Sequence, residues 1–171
     1  MDFKEKIRVI PDFPKPGVRF KDITTLLKDG QAYQEAIKRL ADFARSKEAE
    51  VIVGPEARGF VIGAPIAFQL GKGFVPVRKA GKLPCATVES EYDLEYGKDA
   101  LALHKDALKP GQKVLITDDL LATGGTISTT IDLVHQLGAE IVGCAFLIEL
   151  TYLEGREKIG ATYDIFSLVQ Y

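Results

Sequence analysis

Val114-Leu115-Ile116-Thr117-Asp118-Asp119-Leu120-Leu121-Ala122-Thr123-Gly124-Gly125-Thr126 changes character several times within a short span. It opens on an apolar, β-branched run, Val114 to Ile116, of the kind that forms a buried strand. It turns acidic at Asp118-Asp119 and then small and hydroxylated around Gly124-Gly125. From Thr126 onward Ile127, Ile131, Val134 and Leu137 recur at three- and four-residue steps, and Gly138 supplies a helix stop. The order is strand, acidic tip, Gly-Thr loop, helix.

That order has a chemical use. A loop of Ala122, Thr123, Gly124, Gly125 and Thr126 lets backbone N–H groups close on a phosphate, and the helix that follows points its positive end at the same place. Adjacent carboxylates at a strand tip accept hydrogen bonds from neighbouring hydroxyls, as on a ribose, and are oxygen ligands suited to Mg²⁺. A sugar phosphate is the ligand that such a tip and loop would hold together. A branched side chain at Gly124 is expected to fill the anion's place and leave the fold largely intact.

Working outward, the same pattern repeats. Glu50 to Gly54 reads as a buried strand tipped by Glu56-Ala57-Arg58-Gly59, and Phe60 to Leu70 as a helix. Gly73 to Val77 is a strand running into Arg78-Lys79-Ala80-Gly81-Lys82. Such units favour an α/β fold with a central parallel sheet flanked by helices. Two cationic patches at strand tips beside a phosphate loop suit a polyanion, and Arg forms bidentate phosphate bonds. Gln31 to Arg45 carries a helical stripe, and Ile141 to Leu150 and Tyr163 to Val169 read as strands. Met1 to Ile10 has Phe3, Ile7 and Ile10 at helical spacing. Pro11 to Gly17 is irregular by its prolines, and Val18 to Asp22 reads as loop packed by Phe13 and Phe20. Leu83 to Thr87 and Ala100 to His104 read as weak strands around a polar connection, Thr87 to Tyr96, which composition leaves open as a lid or an exposed acidic hairpin.

The totals narrow the class. The chain has 171 residues, enough for one domain with a sizeable core, and 46% are hydrophobic, which argues against disorder. Its net charge of −2 argues against nucleic acid as partner. The two cysteines, Cys85 and Cys144, form neither a disulfide framework nor a metal spacing. With no signal peptide and no apolar run of bilayer length, the expectation is a cytoplasmic protein without a membrane partner.

The central stretch resembles the phosphoribosyl pyrophosphate signature of the type I phosphoribosyltransferases, in the form carried by their adenine-specific branch. The resemblance extends over nearly the whole chain, through Pro11-Asp12-Phe13-Pro14 with Pro16-Gly17, Glu56-Ala57-Arg58-Gly59-Phe60, Arg78 to Pro84, Tyr92-Asp93-Leu94-Glu95-Tyr96-Gly97, and Leu150 onward into Gly155-Arg156-Glu157-Lys158. It implies a single domain over residues 1–171, with residues 1–30 as a small hood over the base pocket and a mobile hairpin loop. It implies transfer of the phosphoribosyl group of 5-phosphoribosyl 1-pyrophosphate to adenine, giving AMP and pyrophosphate, with Mg²⁺ carried by the donor and helped by Asp118 and Asp119. By the same resemblance Phe20 stacks on the purine, main-chain groups of Arg19 and Lys21 bond its edge, and Leu150 borders it. Arg58, Arg78, Lys79 and Lys82 contact pyrophosphate, Ala122 to Thr126 hold the 5′-phosphate, and Tyr96 closes over the substrate. Glu95 manages the proton on the base. Some family members carry a further basic residue where this chain has Ala80. The family also implies a homodimer.

Three competing readings can be weighed on residues. A hypoxanthine-guanine enzyme would typically place Asp at Ala122; a xanthine enzyme is harder to separate on this loop alone. A regulator sensing the same donor would carry an added DNA-binding domain, and the fold signals begin close to Met1. A P-loop enzyme would need Gly-Lys-Ser/Thr after the glycines, which is absent.

Overall fold

A computed structural model describes residues 1–94 and 96–171. The chain starts with a 3-10 turn, Lys4–Lys6, and two antiparallel strands, β1 (Arg8–Pro11) and β2 (Arg19–Asp22). The N-terminal helix expected from periodicity is not formed, and Val18 to Asp22 is not irregular. A single tight turn already brings Phe3 and Ile7 into the core, and the chain beyond Ile7 gains its backbone hydrogen bonds by pairing Ile10 with Phe20. The proline segment closes this ribbon: Gly17 sits at φ +86 and donates its N–H to Asp12 Oδ1 at 2.8 Å. A one-turn helix, α1 (Thr24–Leu27), completes the hood.

α2 (Gly30–Ser46) is capped by Asp29, whose side chain accepts the Ala32 N–H at 3.1 Å, and buries Ala36, Ile37, Leu40 and Ala44. Then come β3 (Val51–Pro55), α3 (Arg58–Leu70), β4 (Gly73–Lys79), β5 (Thr87–Leu94), β6 (Gly97–His104), β7 (Lys113–Leu121), α4 (Gly125–Gln136), β8 (Glu140–Glu149), α5 (Gly155–Ile159) and β9 (Ile165–Gln170).

β3 to β9 form one seven-stranded sheet in the order β5-β6-β4-β3-β7-β8-β9. β4, β3, β7, β8 and β9 run parallel, as expected. The β5–β6 hairpin is added antiparallel at the β4 edge, so the sheet is mixed. The hairpin departs from expectation in extent. Thr87 to Leu94 is itself a strand, paired with β6 from Thr87–His104 to Leu94–Gly97. Val88, Ser90 and Tyr92 are half-buried while Glu89, Glu91 and Asp93 face solvent, the alternation of a strand with one covered face. A serine and a tyrosine at inward positions conceal that alternation from a reading based on hydrophobicity.

The inner strands are buried on both faces. Ile52, Leu115 and Leu147 join the core under α2 and α3; Val53, Ile116 and Phe146 join the core under α4. α3 approaches the sheet closely at Gly63, where a Cβ would come within 2.5 Å of the Phe74 ring. From β3 the chain winds outward to β4 by way of α3, and from β7 it winds the other way to β8 and β9. Ligands of open parallel sheets sit at such a reversal, beyond the carboxyl ends of the strands. Here those ends carry Glu56-Ala57-Arg58 and Asp118-Asp119.

Candidate functional site

At the β3–β7 reversal Arg58 and the acidic pair meet. Arg58, the first residue of α3, places Nε 2.9 Å from Asp119 Oδ2, and Asp119 is only 6% exposed in its side chain. Asp118 Oδ1 accepts the Asp119 N–H at 2.8 Å. Gly59 makes room for the same carboxylate: a Cβ there would lie 3.0 Å from Asp118 Oδ1. Burial, and then the neighbouring Asp119 charge, push the Asp118 carboxyl well above the usual carboxylate range. The two acids therefore differ. Asp119 pairs with Arg58, and Asp118 holds a proton more readily than a solvated carboxylate does.

Beside them Leu120 to Ile127 enclose, with Arg58, Asp118 and Asp119, a cavity of about 180 Å³. Its floor is the turn into α4. Gly124 stands at φ +86 immediately before the helix, and the first N–H groups of α4 have no partners within the helix. Partnerless N–H groups at a helix N-terminus are chemically suited to an anion.

The glycines are not equivalent. A Cβ at Gly124 would lie 2.8 Å from the Gly155 carbonyl oxygen, on a backbone that L residues rarely adopt. Substitution there deforms the loop itself, which corrects the expectation that the fold would tolerate it. At Gly125 a Cβ meets nothing nearer than Thr123 Oγ1 at 3.9 Å and Lys158 Nζ at 4.0 Å. Gly125→Val is therefore expected to keep the thermal midpoint while weakening donor binding by about 10- to 100-fold, or about 1.4–2.8 kcal/mol. Donor titration of a normally stable variant checks this, and wild-type affinity would remove the phosphate assignment from the loop.

The second cationic patch is gathered by a residue that sequence reasoning missed. Glu56 Oε1 accepts the Lys79 N–H at 2.8 Å, Oε2 accepts from Lys82 Nζ at 3.1 Å, and Arg78 Nε lies 3.4 Å from Oε1. Burial works against the Glu56 charge, but the Lys79 N–H and the Lys82 ammonium outweigh it and hold its carboxyl below the usual range. Lys79 Nζ also lies 3.7 Å from Asp99 Oδ2. Arg78 and Lys82 thus stand on one carboxylate beyond β3, which also holds the Lys79 backbone. Arg58 stands apart from them, on Asp119.

The hood reaches the same place through Phe20. Its ring packs edge to face on Phe13 at 5.2 Å, and the Arg58 guanidinium lies 5.7 Å from its centroid. Lys21 turns its ammonium away, over the Tyr171 ring at 4.1 Å, and Arg19 is exposed. Leu150 is buried and donates its N–H to Leu121 O at 2.9 Å, tying the end of β8 to the end of β7. Tyr96 is 90% exposed. Glu95 lies outside the described residues. The hairpin that carries both leans on α4, where Gln136 Nε2 donates to Glu89 O at 3.0 Å.

Glu149, next to Leu150, is 3% exposed and receives Arg156 through Nε at 2.6 Å and a guanidinium N–H at 2.8 Å, with Ser167 and Gln170 added. Burial opposes its ionisation, but these donors outweigh it and hold its carboxyl below the usual range. A depressed carboxyl contributes stability above its unfolded pKa and loses it as pH falls through the folded value. Arg156→Ala is expected to cost about 3 kcal/mol at pH 7, the low end for a buried pair because Arg156 remains 41% exposed. The gap from wild type should close below about pH 4. Urea unfolding at pH 7 and pH 3 measures both, and a gap independent of pH would contradict the ion pair as its cause.

Among the described residues no group of three or more His, Cys, Asp and Glu side chains is placed to hold a metal ion, and no helix is long and apolar enough to cross a membrane.

The sequence profile of the phosphoribosyl transferase domain matches residues 24–169. The adenine phosphoribosyltransferase of Brevibacillus brevis is 68% identical over 171 residues, all of both chains. The crystal structure of adenine phosphoribosyltransferase from Thermoanaerobacter pseudethanolicus superposes with a TM-score of 0.94 at 54% identity, covering 99% of this chain and 98% of that one. The Saccharomyces cerevisiae adenine phosphoribosyltransferase, crystallised with adenine and an iminoaltritol bisphosphate, gives 0.90 at 37% identity over 97% and 96%.

Proposed function

Because the chain belongs to the phosphoribosyl transferase family, we infer that it transfers the phosphoribosyl group of 5-phosphoribosyl 1-pyrophosphate to adenine, giving AMP and pyrophosphate in purine salvage. One observation carries the assignment of roles: the acidic pair, the glycine-led N-terminus of α4 and the Glu56-gathered cations all lie beyond the carboxyl ends of adjoining strands.

Displacement at the anomeric carbon builds oxocarbenium character on the ribose and negative charge on the leaving pyrophosphate. Ala122 to Thr126 hold the 5′-phosphate, fixing one end of the donor. Asp118 and Asp119 accept from the ribose hydroxyls, and Arg58, paired with Asp119 at 2.9 Å, meets the pyrophosphate from the β3 side. Arg78, Lys79 and Lys82 receive the pyrophosphate. Phe20 stacks on the adenine ring, main-chain groups of Arg19 and Lys21 read its edge, and Leu150 borders it. Glu95 moves the proton of the base, and Tyr96 covers the site as the hairpin closes and excludes water.

Mg²⁺ fits this set as a cation carried by the donor. Asp118 and Asp119 are two carboxylates at one strand tip, where Mg²⁺ commonly takes one or two beside phosphate oxygens. When bound it neutralises phosphate charge on the leaving group. The homodimer belongs to the same reading, and an 89% exposed Phe68, in the wall of a cleft of about 760 Å³ between α2 and α3, supports it.

Pyrophosphate release, measured with each purine base in turn and with and without Mg²⁺, tests the function. Release with adenine that requires Mg²⁺ is the expected result, and no release with adenine would overturn it.

A further inference from the structure

α5 is pressed against the phosphate loop, and the roles assigned above leave its Lys158 unused. Gly155, at the start of α5, is buried, and a Cβ there would come within 2.4 Å of the Ala122 carbonyl oxygen and 3.0 Å of Leu121 Cδ1. From the other side, a Cβ at Gly124 would meet Gly155 O at 2.8 Å and Lys158 Cβ at 3.3 Å. The two backbones touch because both positions lack side chains. Arg156 is locked onto the buried Glu149 at 2.6 and 2.8 Å, and Ile159 is in the core beneath α4. Three of the five residues of α5 are therefore fixed, and they carry the Lys158 stem past Gly124. Its Nζ lies 4.0 Å from where a Cβ on Gly125 would stand.

Gly125 supplies one of the partnerless N–H groups at the start of α4. Lys158 and this first turn, with Ser128 and Thr129, line a second cleft of about 220 Å³, whose other walls bring Glu91, Asp93 and Asp132. Those acids would repel an anion seated on α4 unless a cation stood among them. Among the described residues no carboxylate lies within ion-pair distance, 4.0 Å, of the Lys158 ammonium. An exposed lysine whose Cβ is set against Gly124 by a fixed backbone, with its charge uncommitted at the rim of a helix N-terminus, is arranged for the anion itself.

We propose that Lys158 binds the 5′-phosphate of the donor and of AMP, adding a full positive charge to the backbone N–H groups of Gly125 and Thr126. This rests on the phosphoribosyl transfer reading, and it extends the site to an element that begins thirty residues beyond α4's start, a separation across which only the fold supplies contact.

Calorimetric titration of the intact protein tests it, with ribose 5-phosphate and inorganic pyrophosphate as separate probes. Lys158→Gln is expected to weaken ribose 5-phosphate by about 10- to 100-fold, the loss of one charge-assisted phosphate contact. It should leave pyrophosphate affinity and the thermal midpoint unchanged, and Lys158→Arg should restore most of the ribose 5-phosphate affinity. A Lys158→Gln variant that binds ribose 5-phosphate as wild type does would overturn the assignment, as would equal weakening of both probes. Wild-type protein that binds neither probe and releases no pyrophosphate would overturn the functional reading instead, so the two failures are distinct.

Discussion

With donor and Mg²⁺ saturating, kcat/KM for adenine is expected to exceed that for hypoxanthine, guanine or xanthine by about 10⁴–10⁵. Adenine presents a donor at N6 and an acceptor at N1, and hypoxanthine and guanine reverse both. Arg19 and Lys21 are two residues apart on β2, so their main-chain groups face the same side of a two-stranded ribbon. In the proposed pose a C=O near Arg19 accepts from N6 and an N–H near Lys21 donates to N1. A 6-oxopurine would oppose acceptor to acceptor and donor to donor, leaving buried groups unpaired. The side chains carry little of this, since the Lys21 ammonium lies over Tyr171. Lys21→Ala should therefore keep the selectivity, while Lys21→Pro, which deletes the N–H, should lose most activity yet still bind ribose 5-phosphate. Comparable turnover of any oxopurine would leave only the broader assignment, a purine phosphoribosyltransferase.

Glu95→Ala should lower kcat by roughly 10²–10⁴ with donor affinity nearly unchanged, the signature of a group used in the transition state. The base must lose a proton as N9 attacks, and in the proposed reading the Glu95 carboxylate accepts it. Its flanking residues give this reading a scaffold: β5 and β6 stay paired as far as Leu94 and Gly97, and Tyr92 and Asp93 border the cleft at the start of α4. Glu95→Gln, which keeps the shape and removes the basicity, should be as slow as Glu95→Ala. Single-turnover rates with preformed donor complex measure the step, and an unchanged kcat would reduce the hairpin to a cover.

The parts of this protein legible in its sequence are those whose signals are local. The apolar runs at Val51–Val53, Val114–Ile116 and Ile141–Ile148 read as buried strands because both of their faces are covered. The stripes of α2 and α4 read as helices because one face is buried. The glycine turn into α4 was legible because small residues, glycines and a following helix are consecutive.

Tertiary structure decided what depends on partners distant in sequence. The first ten residues carry helical spacing, yet they form a 3-10 turn and a strand because Phe20 lies opposite Ile10. Thr87 to Leu94 reads as a polar connection until β6 and α4 cover its inward face. Glu56 has no visible purpose in its own segment, and it becomes the anchor of Arg78, Lys79 and Lys82 only when β3 and β4 run side by side. Arg58 reads as a cation at a strand tip, and only the fold sets it beside Asp119 and Phe20. Lys158 reaches Gly125 only because Gly124 and Gly155 let two backbones touch. Local patterning encodes the elements and the backbone cradle. Charges and ring contacts act through space, over a few ångströms that separate residues far apart along the chain, and these the packing of the elements alone brings together.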